Sequence, residues 1–144
     1  MVDLVSELTV LCNCIVDFCT PQSCPVMRAG PCYEYAWLDP TSTEYTVPTL
    51  CSAPRYMELL LSWIDGKLVS SNTLTVEETK IFCRRLFRVY AHLLANHAND
   101  IHPIRNHLRY SLYHFWVFMS EFDLLLSDLE MKPIKDIINS FCSL

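Results

Sequence analysis

The sequence predicts an all-α fold, in which a helical bundle carries a proline-rich arm and one small β-hairpin. Apolar residues recur at helical spacing on both sides of residues 20–54. Residues 20–54 themselves hold six of the eight prolines and one of the two glycines, which excludes long helices there. With 144 residues and 51% hydrophobic side chains, the chain suits one core. We therefore expect a single domain over residues 1–144, with a helical core at 3–18 and 55–142 and an extended arm at 20–54.

Three amphipathic helices follow from the spacing of apolar residues before and after the arm. The first covers residues 3–18, and its apolar face requires a partner. Helical spacing returns after the arm in two further segments, whose apolar stripes are expected to face each other. The three stripes are Leu4, Leu8, Leu11, Ile15 and Phe18; Tyr56, Leu60, Ile64 and Leu68; and Phe82, Leu86, Val89 and Leu93.

Two more helices are predicted in the last third of the chain. Residues 112–126 carry apolar side chains at helical spacing and aromatic side chains on nearly all sides, so this helix is expected to be the central one. Pro133 suits a first helical position and is expected to open the last helix. The apolar residues of that helix are Ile134, Ile137, Ile138 and Phe141.

The hairpin is predicted inside the arm. Residues 33–37 alternate aromatic side chains with a glutamate and an alanine, which is the period of a β-strand. Residues 45–47 are expected to pair with this strand across a short turn at residues 40–43. One antiparallel pair is therefore predicted within the arm.

Charge and cysteine content restrict the function classes. A net charge of -5 with 11 basic residues argues against nucleic-acid binding, which depends on phosphate contacts from Lys and Arg. The uncharged stretch at residues 110–120 is shorter than the roughly 18 to 20 apolar residues of a membrane span. Asp3 and Glu7 stand where an export signal would need positive charge. We therefore expect a reducing compartment, in which the eight cysteines are more often buried thiols or metal ligands than disulfides.

Two cysteines and two histidines form a candidate metal site. Four residues separate Cys19 from Cys24, and four separate His92 from His97. Two thiolates and two imidazoles complete a tetrahedral zinc site and leave no open position for catalysis. From the spacing alone, packed core thiols and hydrogen-bonded histidines are an equal alternative.

Spacing does not choose the ligands, because the same interval occurs elsewhere. It also separates Cys14 from Cys19, His97 from His102, and His102 from His107. Cys14 lies on the apolar stripe of the first helix, where a packed thiol is favoured over a ligand. A five-residue step rotates a helix by about 140°, so His92 and His97 can share one ion only if the helix ends between them.

Three arginines share one side of the helix that contains Phe82. Arg84, Arg85 and Arg88 fall on the arc opposite the buried stripe, so they are expected to face solvent and to be removable without disturbing the core. A solvated helix face balanced by Glu77 and Glu78 is a common explanation for such a run. The alternative is a phosphate or phosphopeptide site, because the guanidinium fork matches phosphate oxygens.

Several motifs resemble the Mob family of protein-kinase coactivators, and together they span residues 2–141. The family's zinc-side signature resembles residues 18–27 (FCTPQSCPVM), 29–31 (AGP) and 33–37 (YEYAW). The later landmarks follow in the family's order: residues 52–56 (SAPRY), residues 85–92 (RLFRVYAH), His107 with Leu108, His114 with Phe115, and Glu121 with Phe122.

This resemblance implies a structural Zn²⁺ held by Cys19, Cys24, His92 and His97. It also implies a non-catalytic adaptor that binds kinases of the NDR and LATS class and a phosphothreonine peptide of an upstream kinase or scaffold. The alternative function is a zinc-dependent or cysteine-dependent hydrolase. That alternative lacks a carboxylate base at zincin spacing and a family-specific nucleophile signature.

The resemblance further assigns residues to the two binding functions. The family's phosphate-binding basic positions fall on Arg84, Arg85 and Arg88. Asp3 stands at a matching acidic position of the surface that meets the kinase. The expected location is the cytoplasm, together with the nucleus or the spindle poles.

Overall fold

The computed structural model describes residues 1–132 together with residues 135 and 139. In chain order the elements are helix α1 (Val2–Cys14), strands β1 (Arg28–Ala29) and β2 (Tyr33–Glu34), helices α2 (Ala53–Ser71) and α3 (Val76–Asn96), a 3-10 turn (His102–Ile104), and helices α4 (Arg105–Glu121) and α5 (Asp128–Met131). This mostly helical architecture with one two-stranded sheet confirms the predicted fold class. Pro133 and the apolar residues of the helix predicted to open there lie outside the described residues. None of the described helices combines the length and the apolar character that crossing a membrane requires.

Helix α1 buries the predicted apolar stripe but ends earlier than expected. It ends at Cys14, and the backbone N–H groups of Phe18 and Cys19 then donate to the carbonyl oxygen of Ile15, at 2.9 and 2.8 Å. This turn leaves Phe18 47% exposed and Cys19 buried. The buried residues of the stripe are Leu4, Leu8, Leu11 and Ile15.

Helices α2 and α3 begin at caps that the sequence encodes, and they pack against each other. The Ser52 hydroxyl accepts a hydrogen bond from the N–H of Arg55 at the start of α2. Thr75 and Glu78 form a reciprocal capping box at the start of α3. The two predicted stripes are buried apart from Leu68, which is partly buried.

The central helix is α3, and the prediction that α4 would be central is wrong. Ten residues of α3 are buried, compared with five of α4. On α4, Tyr110 and Tyr113 are 65% and 67% exposed. A tyrosine can keep its hydroxyl hydrated at a surface, so aromatic content alone does not indicate burial. Helix α4 buries one face against α1 and stacks Phe115 on Tyr90, with 5.4 Å between the ring centroids.

A hairpin is present in the arm, and one strand lies within the predicted residues 33–37, but its partner is residues 28–29 rather than residues 45–47. Strands β1 and β2 pair antiparallel, and Gly30 takes a φ of 67° in the turn between them, which glycine adopts without strain. Trp37 forms an isolated bridge with Thr49 instead of pairing with residues 45–47. The Ser42 hydroxyl accepts two backbone N–H groups in the intervening loop. This local turn shifts the pairing in a way that strand periodicity does not reveal.

Candidate metal centre and arginine groove

Two segments remote in sequence bring four candidate ligands together, the turns after α1 and the end of α3. Cys19 follows the turn after α1, and the N–H of Cys24 closes the next turn by donating to the carbonyl oxygen of Thr20 at 2.8 Å. His92 lies near the end of α3, and His97 is the C-cap of that helix. All four residues are buried, and their ligand atoms lie within 4.8 Å of one another. This Cys2His2 cluster could hold a metal ion.

Three of the six distances between ligand atoms are close to those of a tetrahedral site. The Sγ of Cys19 lies 3.4 Å from Nε2 of His92, and the Sγ of Cys24 lies 3.3 Å from Nε2 of His97. The two Nε2 atoms are 3.2 Å apart. Nitrogen and sulfur ligands bound tetrahedrally to zinc are separated by roughly 3.3 to 3.8 Å, given metal distances of about 2.0 to 2.3 Å. The observed spacings therefore suit one cation at the centre of the cluster.

Hydrogen bonds on the far side of each imidazole determine which nitrogen faces the cluster. Nδ1 of His92 lies 2.6 Å from the carbonyl oxygen of Arg28, and Nδ1 of His97 lies 2.9 Å from a carboxylate oxygen of Asp100. Both partners are acceptors, so each Nδ1 carries the hydrogen and donates it. Each Nε2 then directs a lone pair into the cluster, and two lone pairs so close repel unless a cation lies between them.

The structure also selects among the ligands that spacing left open. Helix α3 ends at Asn96, so it ends before His97, as sharing one ion requires. His102 and His107 are exposed. Cys14 is exposed as well, so the expectation that its thiol is packed in the core is wrong. Helix α1 ends at this residue, and its apolar stripe does not continue through it.

Burial shifts the pKa of Cys19 and that of His92 in opposite directions, and both shifts favour the neutral form. Burial, followed by the neighbouring Cys24 thiol, raises the pKa of Cys19 above its usual range. Burial lowers the pKa of His92 to about 4, so this imidazole is neutral at pH 7. A bound cation would favour the thiolate form of the cysteines. With four protein ligands the site has no open coordination position, which suits stabilisation of the fold rather than catalysis.

Arg85 is the most enclosed of the three α3 arginines. Its guanidinium carbon lies 4.0 Å from the ring centre of Trp37 and 4.8 Å from that of Trp63. The same side chain donates a hydrogen bond of 2.6 Å to the carbonyl oxygen of Leu38. The expectation that it would face solvent and could be removed without consequence is therefore wrong. The arm covers this side of α3, which helical periodicity alone does not show.

Arg84 and Arg88 are held by different partners. Arg88 donates to the hydroxyl of Tyr56 at 3.1 Å, and its guanidinium lies 5.1 Å from the ring centre of Tyr35. It is partly buried, whereas Arg84 is exposed and pairs through Nε with Glu130 at 2.6 Å. All three arginines line one groove of about 520 Å³, whose other lining residues are Glu34, Tyr35, Ala36, Leu38, Pro40, Pro48 and Ile81.

Arg85, which lines the groove, has one buried donor atom without an acceptor among the described residues. Nη1 of Arg85 is buried and forms no hydrogen bond within the part of the chain that the structure describes. Burying such a donor without an acceptor is costly. Glu77 and Glu78 do not balance these arginines, because they pair with Lys80 and Lys67.

Asp3, the predicted kinase contact, lies exposed in the first turn of α1. One turn along the same helix, a carboxylate oxygen of Glu7 lies 2.7 Å from Nδ1 of His114 of α4, at hydrogen-bond distance. The structure thus places Asp3 on a solvent-facing part of α1, while Glu7 is engaged in holding α1 to α4.

Sequence reasoning missed several residues that hold the two sites in place. They are Arg28 and Asp100 at the metal cluster, and Trp37, Trp63 and Glu130 at the arginines. Asp100 offered a signal, because an acidic residue three positions after a histidine ligand can orient its ring. The other residues lie in segments remote in sequence from the sites that they support, and no spacing rule connects them to those sites.

Comparison with known proteins identifies relatives over nearly the whole chain. Residues 1–134 match the family model described as the Mob1/phocein family. The chain is 37% identical over 152 residues to MOB kinase activator-like 1 homolog B of Dictyostelium discoideum, an alignment that covers 96% of this chain and 69% of the relative. It is 32% identical over 155 residues to MOB kinase activator 3A of Mus musculus, with 99% and 70% covered. It is 37% identical over 151 residues to maintenance of ploidy protein mob1 of Schizosaccharomyces pombe, with 96% and 70% covered.

Proposed function

This chain belongs to the Mob1/phocein family, and from that premise we propose that it is a non-catalytic coactivator of protein kinases of the NDR and LATS class. Relatives named as kinase activators match nearly all of its length. The site geometry agrees with a role in binding, because the metal cluster has no open coordination position while the arginine groove is open to a ligand.

The metal we propose for the cluster is Zn²⁺. Two thiolates with two imidazoles form a closed ligand set typical of structural zinc, whereas Mg²⁺ and Ca²⁺ prefer oxygen ligands. Each cysteine lies 73 residues from the histidine beside it, so one ion would tie the arm to α3. Elemental analysis after extensive dialysis is expected to find one zinc per chain. A folded, metal-free chain would contradict the assignment.

The ligand we propose for the arginine groove is a phosphothreonine peptide. The observation that carries this proposal is that three arginines, Arg84, Arg85 and Arg88, line one open groove. A phosphate group brings close to two negative charges and three acceptor oxygens. Arg84 and Arg88 line the same groove and offer further donors of matching geometry.

Calorimetric titration with a phosphothreonine peptide tests this proposal. Arg88→Lys retains the positive charge but removes the planar fork, so affinity is expected to fall about tenfold or more, since a hydrogen bond to a charged group contributes roughly 1.5 to 3 kcal/mol. Lys80→Ala is the matched control, because Lys80 lies on α3 and pairs with Glu77 outside the groove. Equal affinities for the phosphorylated and unphosphorylated peptides would reject the proposal.

The kinase contact we propose begins at Asp3. An exposed carboxylate in the first turn of a surface helix is accessible to a basic helix of a partner. Exposed charges of this kind act mainly on association rate and on salt dependence. A charge-reversing substitution at Asp3 is therefore a direct probe of where the kinase binds.

A further inference from the structure

Glu130 links a distant segment of the chain to the arginine groove. One carboxylate oxygen of Glu130 lies 2.6 Å from Nε of Arg84, although the two residues are 46 positions apart. Arg84 lines the groove together with Arg85 and Arg88, whereas Glu130 is not part of its wall. The chain therefore supplies its own carboxylate to one of the three cations proposed to bind phosphate.

The Glu130 carboxylate is held in position before any ligand arrives. Its second oxygen accepts hydrogen bonds of 2.9 Å from both the backbone N–H and the hydroxyl of Ser127. Partial burial acts to raise the pKa of Glu130, but these bonds and the ion pair with Arg84 hold it below the usual value. The carboxylate is thus ionised at neutral pH and restricted to one orientation.

The segment that carries Glu130 is anchored to the core by one residue before α5 and by the last residue of α5. Leu124 and Met131 are 7% and 8% exposed, and the N–H of Leu124 donates to the carbonyl oxygen of Met119 at 2.8 Å. Anchoring gives the carboxylate a high effective concentration at Arg84, because it does not have to diffuse to its partner. An incoming phosphate meets this tethered competitor.

We propose that Glu130 is an internal competitor for the arginine groove, an intramolecular carboxylate that occupies Arg84 and lowers the affinity of the groove for phosphate. This inference rests on the proposed phosphopeptide function. A phosphate must either displace Glu130 from Arg84 or bind beside a negative charge, and both routes reduce its affinity. Exposed ion pairs are weak, so the restraint amounts to roughly two- to tenfold rather than complete inhibition.

Glu130→Gln is the sharpest test, because glutamine also serves at this capping position and α5 should persist. Titration with the phosphothreonine peptide is expected to show roughly two- to tenfold tighter binding than wild type. Asp128→Asn is the matched control, since its carboxylate is 96% exposed and pairs with Lys135. That control is expected to bind like the wild type.

A double-mutant cycle separates competition at Arg84 from a general change in charge. In an Arg84→Ala background, Glu130→Gln should no longer tighten binding, because the competitor has lost its partner. Weaker binding by Glu130→Gln in the wild-type background would show that Glu130 positions Arg84 for the ligand, and would overturn the inference. The same gain with and without Arg84 would also overturn it.

The proposed function and this inference fail in different ways. Phosphopeptide binding by wild type with unchanged affinity in Glu130→Gln overturns the inference alone. Binding by Glu130→Gln but not by wild type supports the competitor and rejects a functional groove in the wild-type chain. Binding by neither protein rejects both.

Discussion

The metal cluster and the arginine groove both depend on α3, yet they leave their polar groups in opposite states. In the cluster, Nδ1 of both His92 and His97 has an acceptor, and both Nε2 atoms face the thiols. At the groove, three arginines converge, and one buried donor of Arg85 has no acceptor among the described residues. A cluster completed by one ion would stabilise the fold, whereas an open groove lined by three arginines is suited to an anionic ligand. Arg88 and His92, four positions apart on α3, thus belong to two sites for which we propose different roles, ligand recognition and metal binding.

Removal of a metal ligand should have the largest effect on stability. Cys19→Ser or His97→Ala is expected to yield an insoluble or partly unfolded chain, because zinc binding in small peptides contributes roughly 10 kcal/mol or more in apparent terms. Zinc content and thermal unfolding measure the outcome. Cys14→Ala is the control and should retain both zinc and melting temperature, since this thiol lies outside the cluster. A ligand variant that lacks zinc but melts like the wild type would contradict a structural role.

Substitution of Arg85 should affect stability as well as binding. Arg85→Ala removes a guanidinium stacked on Trp37 and Trp63 and a hydrogen bond to Leu38, so it is expected to lower the free energy of unfolding by about 2 to 4 kcal/mol. Arg85→Lys keeps the charge and should lose less. Chemical denaturation of the zinc-loaded proteins measures both losses. An unfolding free energy equal to that of wild type in Arg85→Ala would show that the aromatic contacts contribute nothing.

The metal site should respond more moderately to a change in the residue behind its ligand. Asp100→Ala removes the acceptor that orients His97 and is expected to weaken zinc binding by about 10- to 100-fold. Competition with a chromophoric chelator measures the affinity. Asp100→Asn retains an acceptor oxygen and should lie between the alanine variant and wild type. Asn99→Ala, an exposed neighbour, should behave like wild type, and equal loss in both alanine variants would refute a specific role for Asp100.

The smallest effect on the fold is expected from Asp3→Lys. The side chain is exposed in the first turn of α1, so zinc content should be unchanged and the helix should lose only a favourable charge near its N-terminus. Binding to the amino-terminal segment of an NDR- or LATS-class kinase should slow at low salt, and the difference should shrink as salt is added. Identical association rates at low salt would place the kinase interface elsewhere on the molecule.

More of the metal cluster than of the groove could be predicted from the sequence. The sequence showed its ligand types and spacings, and it required a helix to end between His92 and His97 if both bound one ion. Helix α3 does end between them, at Asn96. The family resemblance then selected among equal spacings. The exposure of Cys14 was not predictable, because it depends on where α1 ends rather than on periodicity.

The position of the three arginines on α3 could be predicted from the sequence, but their contacts could not. Periodicity correctly placed the three arginines away from the buried stripe, but it could not show that the arm covers Arg85 with Trp37. Such contacts join segments remote in sequence, and so does the pairing of Arg84 with Glu130. The same limitation explains the hairpin, whose register was set by local turns rather than by alternation alone.

Nuclear magnetic resonance titration of the zinc-loaded chain with a phosphothreonine peptide tests most directly whether the groove binds the ligand while the metal cluster serves only the fold. We expect shifts of the guanidinium signals of Arg84, Arg85 and Arg88, which line the groove. The Nδ1–H signals of His92 and His97 should stay in place, because their acceptors are protein atoms that the ligand does not touch. Shifts centred on the two histidines with unchanged arginine signals would contradict the account.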